Sequence, residues 1–87
     1  MKRAKTIHSK EYNNFIAVLR AERKRLGLSQ SDVAKLLKMK QSEISKVETN
    51  ERRLDILEFK ELLTVYGIAN NDRLKQLVNE FFYTIQE

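Results

Sequence analysis

The chain has 87 residues, with 17 Lys and Arg against 12 Asp and Glu, and it lacks both cysteine and proline. A chain this short forms one domain with a small core, which argues against a large catalytic cleft. Without cysteine there can be no disulfides, thiolate metal sites or thiol nucleophiles, and we expect a cytoplasmic protein. The longest apolar run, Phe15 to Leu19, is far below the ~20 residues of a membrane helix, so no membrane partner is expected.

Positive charge is concentrated in the first part of the chain. Residues 1–53 carry 14 Lys and Arg against six acidic residues, a net charge of +8, whereas residues 54–87 carry three against six. Such an uneven distribution favours a protein that presents one face to a polyanion, with nucleic acid ahead of an anionic membrane. A basic surface that only confers solubility is the plainer alternative.

The predicted elements are all helices. Apolar residues recur at spacings of three and four, and no alternating strand pattern competes. Gly27 and Gly67, each followed by an apolar residue, predict helix ends, and Ser9, Ser29 and Asp55 predict helix starts. The sequence therefore predicts an all-α fold, a compact five-helix bundle. A flexible basic tail over 1–8 precedes helices over 10–26, 30–37, 41–48, 56–66 and 72–86.

Two of these helices carry features that need a structural explanation. Glu22 and Arg23 interrupt the apolar stripe of the first helix, so a charge there requires a partner. The fourth helix has more apolar residues than one stripe holds, which predicts a central position with neighbours on two sides. Its apolar residues are Ile56, Leu57, Phe59, Leu62, Leu63 and Tyr66.

The segment 30–48 has the pattern of a helix-turn-helix. Val33 and Leu37 share one face of the second helix, Ile44 and Val47 share one face of the third, and the two faces can pack together. The opposite face of the third helix carries Gln41, Ser42, Ser45 and Lys46. A helix fits the major groove of DNA, where glutamine can pair with adenine, lysine with guanine and serine with either. These four side chains are the candidate base contacts.

Three stretches of the chain resemble a known family. They are Arg23-Lys24-Arg25-Leu26-Gly27-Leu28-Ser29-Gln30, Gln41-Ser42-Glu43-Ile44-Ser45-Lys46-Val47-Glu48 and Glu51-Arg52-Arg53-Leu54-Asp55. Together they are similar to the phage-repressor (Cro and cI) class of helix-turn-helix regulators, the XRE family, over residues 15–69. The resemblance implies a helix-turn-helix DNA-binding domain, which we place over 9–69. The apolar stripe of the remaining residues, 70–87, predicts a C-terminal amphipathic helix that packs on this domain, dimerises, or both.

The resemblance also implies roles for single residues. Gln41, Ser42 and Lys46 take the places of base-contacting residues, with Ser45 at their border. Arg23 and Glu48 match an ion pair that ties the first helix to the end of the recognition helix. Phosphate contacts are implied for Arg20, Gln30, Lys40, Thr49, Arg52 and Arg53.

Two positions depart from the family pattern. Glycine is usual where this chain has Lys38, and a side chain in the left-handed conformation costs about 1 kcal/mol or more. Glycine is also frequent where this chain has Asn50, which tolerates left-handed angles better. The geometry of the turn after the second helix is therefore the point that the structure must decide.

The last predicted helix has a broad apolar stripe whose role stays open. It can fold back on helices 1 and 4, or form a homodimer contact through Phe81, Phe82 and Ile85, and the two are compatible. A dimer would suit a protein that binds two DNA half-sites about one helical turn apart.

The predicted function is sequence-specific binding of double-stranded DNA by a transcriptional regulator, in particular a repressor. An antitoxin that binds a protein partner and regulates its own synthesis is the alternative, and a coactivator that binds protein in place of DNA is a weaker one. No cofactor, metal or catalytic activity is expected, because the only histidine, His8, lies in the tail without a cluster of ligands around it.

Overall fold

The computed structural model describes residues 9–83, which form an all-α domain. Its helices are α1 (Lys10–Arg25), α2 (Gln30–Leu37), α3 (Gln41–Glu48), α4 (Ile56–Val65) and α5 (Asp72–Tyr83), with a short 3₁₀ turn at Ile68–Asn70 before α5. The predicted all-α class is confirmed, and the boundaries within the described range agree to one residue. The predicted tail over 1–8 and residues 84–87 lie outside the described part of the chain. Within residues 9–83, no helix combines the length and apolar character needed to cross a membrane.

Polar side chains start three of the helices. The Ser9 hydroxyl accepts the Tyr12 backbone N–H at 3.3 Å. At the start of α2, Ser29 and Asp32 accept each other's backbone N–H groups, both at 2.9 Å. Asp55 and Glu58 make the same reciprocal pair at α4, at 2.8 and 3.1 Å. These caps satisfy N–H groups that have no partner inside the helix, which explains why the start signals in the sequence were informative.

The turn between α2 and α3 has the left-handed geometry that glycine would favour. Lys38 adopts φ 58° and ψ 42°, and Asn50 adopts φ 66° after α3. The N–H groups of Lys38 and Met39 donate to the carbonyls of Lys35 and Ala34, which closes α2. The helix-turn-helix therefore forms without glycine, at the expense of backbone strain at Lys38.

The core lies between the helix-turn-helix and the two flanking helices. α2 packs on α3 and α4, and α1 packs on α3 and α5. α5 thus folds back on α1, and its Leu74 is fully buried. The buried apolar side chains are Phe15, Ile16, Leu19, Val33, Ala34, Leu37, Ile44, Val47, Leu62, Tyr66 and Leu74.

The predicted central position of the fourth helix is wrong for its first turn. Ile56 is 82% exposed and Leu57 is 65% exposed, whereas Leu62 and Tyr66 are buried. The reason is that α4 meets the core through Phe59, Leu62 and Leu63, whereas the two residues directly after the Asp55 cap are turned away from it. The apolar surplus in the sequence is therefore surface and not core.

Glu22 is a buried carboxylate that joins α1 to the start of α5. Two nitrogens of Arg25 donate to it at 3.0 and 2.6 Å, and Asn71 Nδ2 donates at 2.7 Å. Arg73 Nε lies 3.5 Å from Glu22 Oε1. The Arg25 hydrogen bonds are the main cause that lowers the pKa of Glu22 below its ordinary value of 4.5, against the opposing effect of burial. The Glu22 carboxylate, which interrupts the apolar stripe of α1, thus has partners on α1 and at the start of α5.

Candidate nucleic-acid interface

Helix α3, the expected recognition helix, separates an apolar inner face from a polar outer face. Ile44 and Val47 are buried against the core. On the outer face, Gln41, Ser42 and Lys46 are exposed and Ser45 is partly buried. Because a helix places residues three and four apart on the same side, the four candidate base contacts form one continuous surface. The structure thus brings together the residues that the sequence pattern selected.

A chain of hydrogen bonds runs from the outer face of α3 into the domain. Gln41 Nε2 donates to Gln30 Oε1 at 2.6 Å, and Gln30 Nε2 donates to Glu48 Oε1 at 2.9 Å. Gln41 is the first residue of α3 and Gln30 the first of α2, so the two helix starts lie next to each other. The amide of Gln41 therefore has a restricted orientation before any ligand is bound. The link between the two glutamines was not found by sequence reasoning.

Glu48 is the end point of this chain and also the partner of Arg23. Arg23 donates from Nε at 2.7 Å and from Nη2 at 3.0 Å to the two carboxylate oxygens, and its Nη1 donates to the Leu28 carbonyl at 2.7 Å. Both side chains are more than nine-tenths buried. The hydrogen bond to Glu48 is the main cause that raises the pKa of Arg23. Forked geometry of this kind holds α1 firmly against the C-terminal end of α3.

The residues assigned to phosphate contacts surround the recognition helix, but their surroundings differ. Lys40 is exposed at the entrance to α3, and Arg20 is half exposed, with Nε 3.8 Å from Glu48 Oε1. The Thr49 hydroxyl lies 3.0 Å from the Ser45 carbonyl oxygen and 2.8 Å from a Glu51 carboxylate oxygen.

Arg52 and Arg53 both have partners inside the domain. Arg52 donates to the two carboxylate oxygens of Glu58 at 3.0 and 2.7 Å, and this hydrogen bonding raises the pKa of Arg52. The Arg53 guanidinium carbon lies 4.6 Å from the centre of the Tyr12 ring. These contacts hold the loop between α3 and α4 in place. Glu58 also caps the start of α4 together with Asp55, and its pair with Arg52 was not found by sequence reasoning.

A protein-family model described as helix-turn-helix matches residues 19–69. The chain belongs to this helix-turn-helix family. The matched range covers more than half of the sequence and contains α2, α3 and α4 complete, so the predicted resemblance to the Cro and cI class is confirmed. No curated protein matches the chain significantly.

Membership assigns a coarse function to this helix-turn-helix protein. The family consists of DNA-binding regulators of transcription and is not a family of enzymes. Double-stranded DNA is accordingly its ligand class.

Proposed function

We propose that the protein is a sequence-specific repressor that inserts α3 into the major groove of double-stranded DNA and binds as a homodimer. The observation that carries the proposal is the exposed face of Gln41, Ser42 and Lys46 on a helix whose other face is buried. A helix held this way presents side chains of the right chemistry to base edges. Repression would follow from occupying DNA that the polymerase needs.

Gln41 is the side chain with the most specific expected contact. Its amide oxygen and one N–H can pair with the N6 and N7 edge of adenine while the other N–H stays on Gln30. Lys46, one turn further along, would contact guanine, and Ser42 and Ser45 would adapt to either base. Base discrimination in this proposal comes from α3, and position along the duplex comes from the surrounding phosphate contacts.

The phosphate contacts are proposed for Arg20, Gln30, Lys40, Thr49, Arg52 and Arg53. All six belong to the part of the chain that carries the net positive charge, and Arg20, Lys40, Thr49 and Arg53 are exposed. Gln30 also gains from the N-terminal end of α2, where backbone N–H groups favour a phosphate. These contacts would supply affinity for any sequence.

The test is selection of binding sites from a random duplex pool, followed by affinity measurements with variants. Gln41→Ala should cost about 1–3 kcal/mol of binding free energy on the selected site and relax the preference at one base pair. Gln76→Ala is the matched control, because Gln76 is an exposed glutamine on α5 that bonds only to Glu80 among the contacts described. Its binding should be unchanged.

Two outcomes would contradict the proposal. Equal losses on selected and random duplex for Gln41→Ala would remove the base-contact assignment. No enriched sequence at all, with binding that depends only on salt, would exclude a sequence-specific repressor and favour the antitoxin alternative, in which a protein partner supplies the specificity. An enriched palindrome would support the homodimer, and a single half-site would contradict it.

A further inference from the structure

Glu48 lies at the inner end of the hydrogen-bond chain that reaches the outer face of α3. It is the last residue of α3, and its side chain is only 7% exposed, so it is shielded from a ligand of that face. Its two oxygens accept from Arg23 at 2.7 and 3.0 Å and from Gln30 Nε2 at 2.9 Å. A carboxylate has acceptor atoms only. Glu48 therefore binds the nitrogen end of a neighbouring amide and not its oxygen end.

The Gln30 amide has one favourable orientation beside this carboxylate. Its Nε2 faces Glu48, which leaves Oε1 to face α3, where it accepts Gln41 Nε2 at 2.6 Å. Turning the amide over would place its oxygen against the carboxylate and its nitrogen against the nitrogen of Gln41. Both hydrogen bonds would be lost, and the one to the charged group is the stronger of the two. The charge of Glu48 thus determines which end of Gln30 faces α3.

The orientation of Gln30 in turn limits what Gln41 can offer to a ligand. One N–H of Gln41 Nε2 is used on Gln30, which leaves the second N–H and the amide oxygen. Turning over the Gln41 amide would bring its oxygen against the oxygen of Gln30. Gln41 accordingly presents one acceptor and one donor side by side, and it cannot present two donors without losing its hydrogen bond to Gln30.

We propose that Glu48 is a positioning residue that makes Gln41 select adenine over guanine, which rests on the proposed base contact of Gln41. In the major groove, adenine presents a donor and an acceptor, whereas guanine presents two acceptors. The fixed amide matches adenine and sets its oxygen against one guanine acceptor. A glutamine free to turn over would donate to guanine instead. Discrimination therefore depends on a repulsive contact that the amide is prevented from avoiding.

The test measures affinity for two duplexes that differ only in an A·T or a G·C pair, at the position whose preference Gln41→Ala relaxes. The ratio of the two affinities is the readout, because the loss of a phosphate contact lowers both affinities and leaves their ratio unchanged. Gln30→Met removes the link and leaves the pair of Arg23 and Glu48 in place. It should reduce the preference for adenine roughly tenfold, towards the ratio of Gln41→Ala.

Glu48→Gln tests the charge itself. An amide at this position still accepts from Arg23 through its oxygen, but its nitrogen can donate to Gln30, so both orientations of Gln30 become available. The preference for adenine should again fall roughly tenfold. Adding Gln30→Glu to Glu48→Gln returns an acceptor-only group next to Gln41. The double variant should regain most of the preference, although the added negative charge lowers its affinity for both duplexes.

Arg20→Met is the control for these variants. Arg20 Nε lies 3.8 Å from the same carboxylate but takes no part in the chain from Glu48 to Gln41. Its loss should lower both affinities and leave their ratio as in the wild type. Circular dichroism of each variant checks that the helices are retained.

The outcomes separate the role of Glu48 from the base contact itself. A preference that Gln41→Ala removes, but that Gln30→Met and Glu48→Gln both retain, would overturn the role of Glu48 and leave the proposed function intact. A preference that is lost in Glu48→Gln and not regained in the double variant would also overturn it, because the carboxylate would then support α3 without orienting the amides. A wild-type chain with no base preference sensitive to Gln41→Ala would contradict the base contact and the role of Glu48 together.

Discussion

Lys38 closes α2 in a backbone conformation that side chains disfavour. Its φ of 58° lies in the left-handed region, where a Cβ atom approaches the following carbonyl oxygen. The residue is exposed, and its backbone N–H bonds to Lys35 are independent of the side chain. The surrounding turn therefore imposes the conformation, and the strain should be removable.

Lys38→Gly should raise the free energy of unfolding by about 1 kcal/mol, because glycine adopts left-handed angles without the clash. Urea denaturation monitored by circular dichroism measures the change. Lys35→Gly is the matched control, an exposed lysine inside α2, where glycine should lower stability by about 1 kcal/mol. Opposite signs are the expected result. Equal destabilisation by both variants would mean that the turn is not left-handed at Lys38.

Glu22 gives the domain a definite response to acid. Its pKa is lowered in the folded state, mainly by the Arg25 hydrogen bonds. A carboxylate with a lowered pKa stabilises the fold above its unfolded value and loses that contribution as the pH falls through the folded one. Stability should therefore be constant from neutral pH down to about pH 5 and decline below it. The pKa values of Asp32 and Glu58 are lowered too, chiefly by hydrogen bonds from Ser29 and Arg52 respectively.

Glu22→Gln should lower the free energy of unfolding at neutral pH by about 1–3 kcal/mol, since hydrogen bonds to a charged group are lost. It should also make the decline below pH 5 shallower, because one of the three shifted carboxyls is gone. Urea unfolding at several pH values measures both effects. Glu61→Gln, an exposed glutamate on α4, should change neither by more than about 0.5 kcal/mol. A decline as steep as in the wild type would show that Glu22 is not among its causes.

At the scale of the elements, the pair of Arg23 and Glu48 is the connection on which the position of α3 depends. α3 has eight residues, too few for a stable helix by itself, so its orientation must come from tertiary contacts. Ile44 and Val47 hold it by packing, and Glu48 holds its far end by charge. The same carboxylate receives Gln30, so stability and the orientation of Gln41 share one anchor.

Arg23→Met should cost about 3 kcal/mol of stability, because it leaves the buried Glu48 without its main partner. Glu48→Gln should cost less, and the double variant should cost less than the two single costs added. Arg20→Met is the control, because Arg20 is half exposed and 3.8 Å from the same carboxylate. Urea unfolding of the four variants measures the coupling. Additive costs would show that the contact contributes nothing specific.

Helices α4 and α5 show how one apolar stripe can serve two surfaces. In α5, Leu74 is fully buried and Phe81 stacks on Phe15, while Phe82 is half exposed. In α4, Leu62 is buried and Ile56 is not. Broad stripes on the last two helices thus complete the core with one part and leave exposed apolar side chains with the other. The fold-back of α5 on α1 is observed, and a dimer contact through its exposed residues stays a prediction. Ile85, assigned to the same contact, lies outside the described residues.

At the scale of the whole molecule, charge should govern DNA affinity. Four of the proposed phosphate contacts are cationic, namely Arg20, Lys40, Arg52 and Arg53. Arg52 is already paired with Glu58, so a phosphate would have to displace that carboxylate. The contact of Arg52 with a phosphate should therefore release fewer counterions than the other three. Each phosphate neutralised contributes about −0.9 to the slope of the logarithm of the binding constant against the logarithm of the salt concentration. With three full contacts and one weaker one, we expect a slope of roughly −3 for each copy of the chain.

Arg20→Ala should make this slope shallower by about one unit for selected and random duplex alike, because a phosphate contact carries no base preference. Fluorescence anisotropy between low and moderate salt measures it. Lys60→Ala, which removes an exposed lysine on α4, should leave the slope unchanged. If both variants reduce the slope equally, the effect reflects net charge and not a contact beside the recognition helix.

The sequence alone determined the helices, the helix-turn-helix and the polar face of α3. These follow from local physics: capping side chains, apolar periodicity and the residues near each turn act over a few positions, so they can be recognised without the fold. The turn at Lys38 was the exception. The sequence shows that a lysine in the left-handed conformation is unfavourable, but the packing around the turn decides whether the chain adopts that conformation.

Only the tertiary structure decided which long-range partners the polar and apolar residues have. Glu22 meets Asn71, 49 positions away, Gln41 meets Gln30, and Arg52 meets Glu58 across a loop. The first two contacts depend on how the helices pack and the third on the path of the loop before α4, and the sequence contains no periodic signal for any of them. For the same reason an apolar residue such as Ile56 can be counted from the sequence, but whether it lies in the core or on the surface depends on where its helix crosses its neighbours.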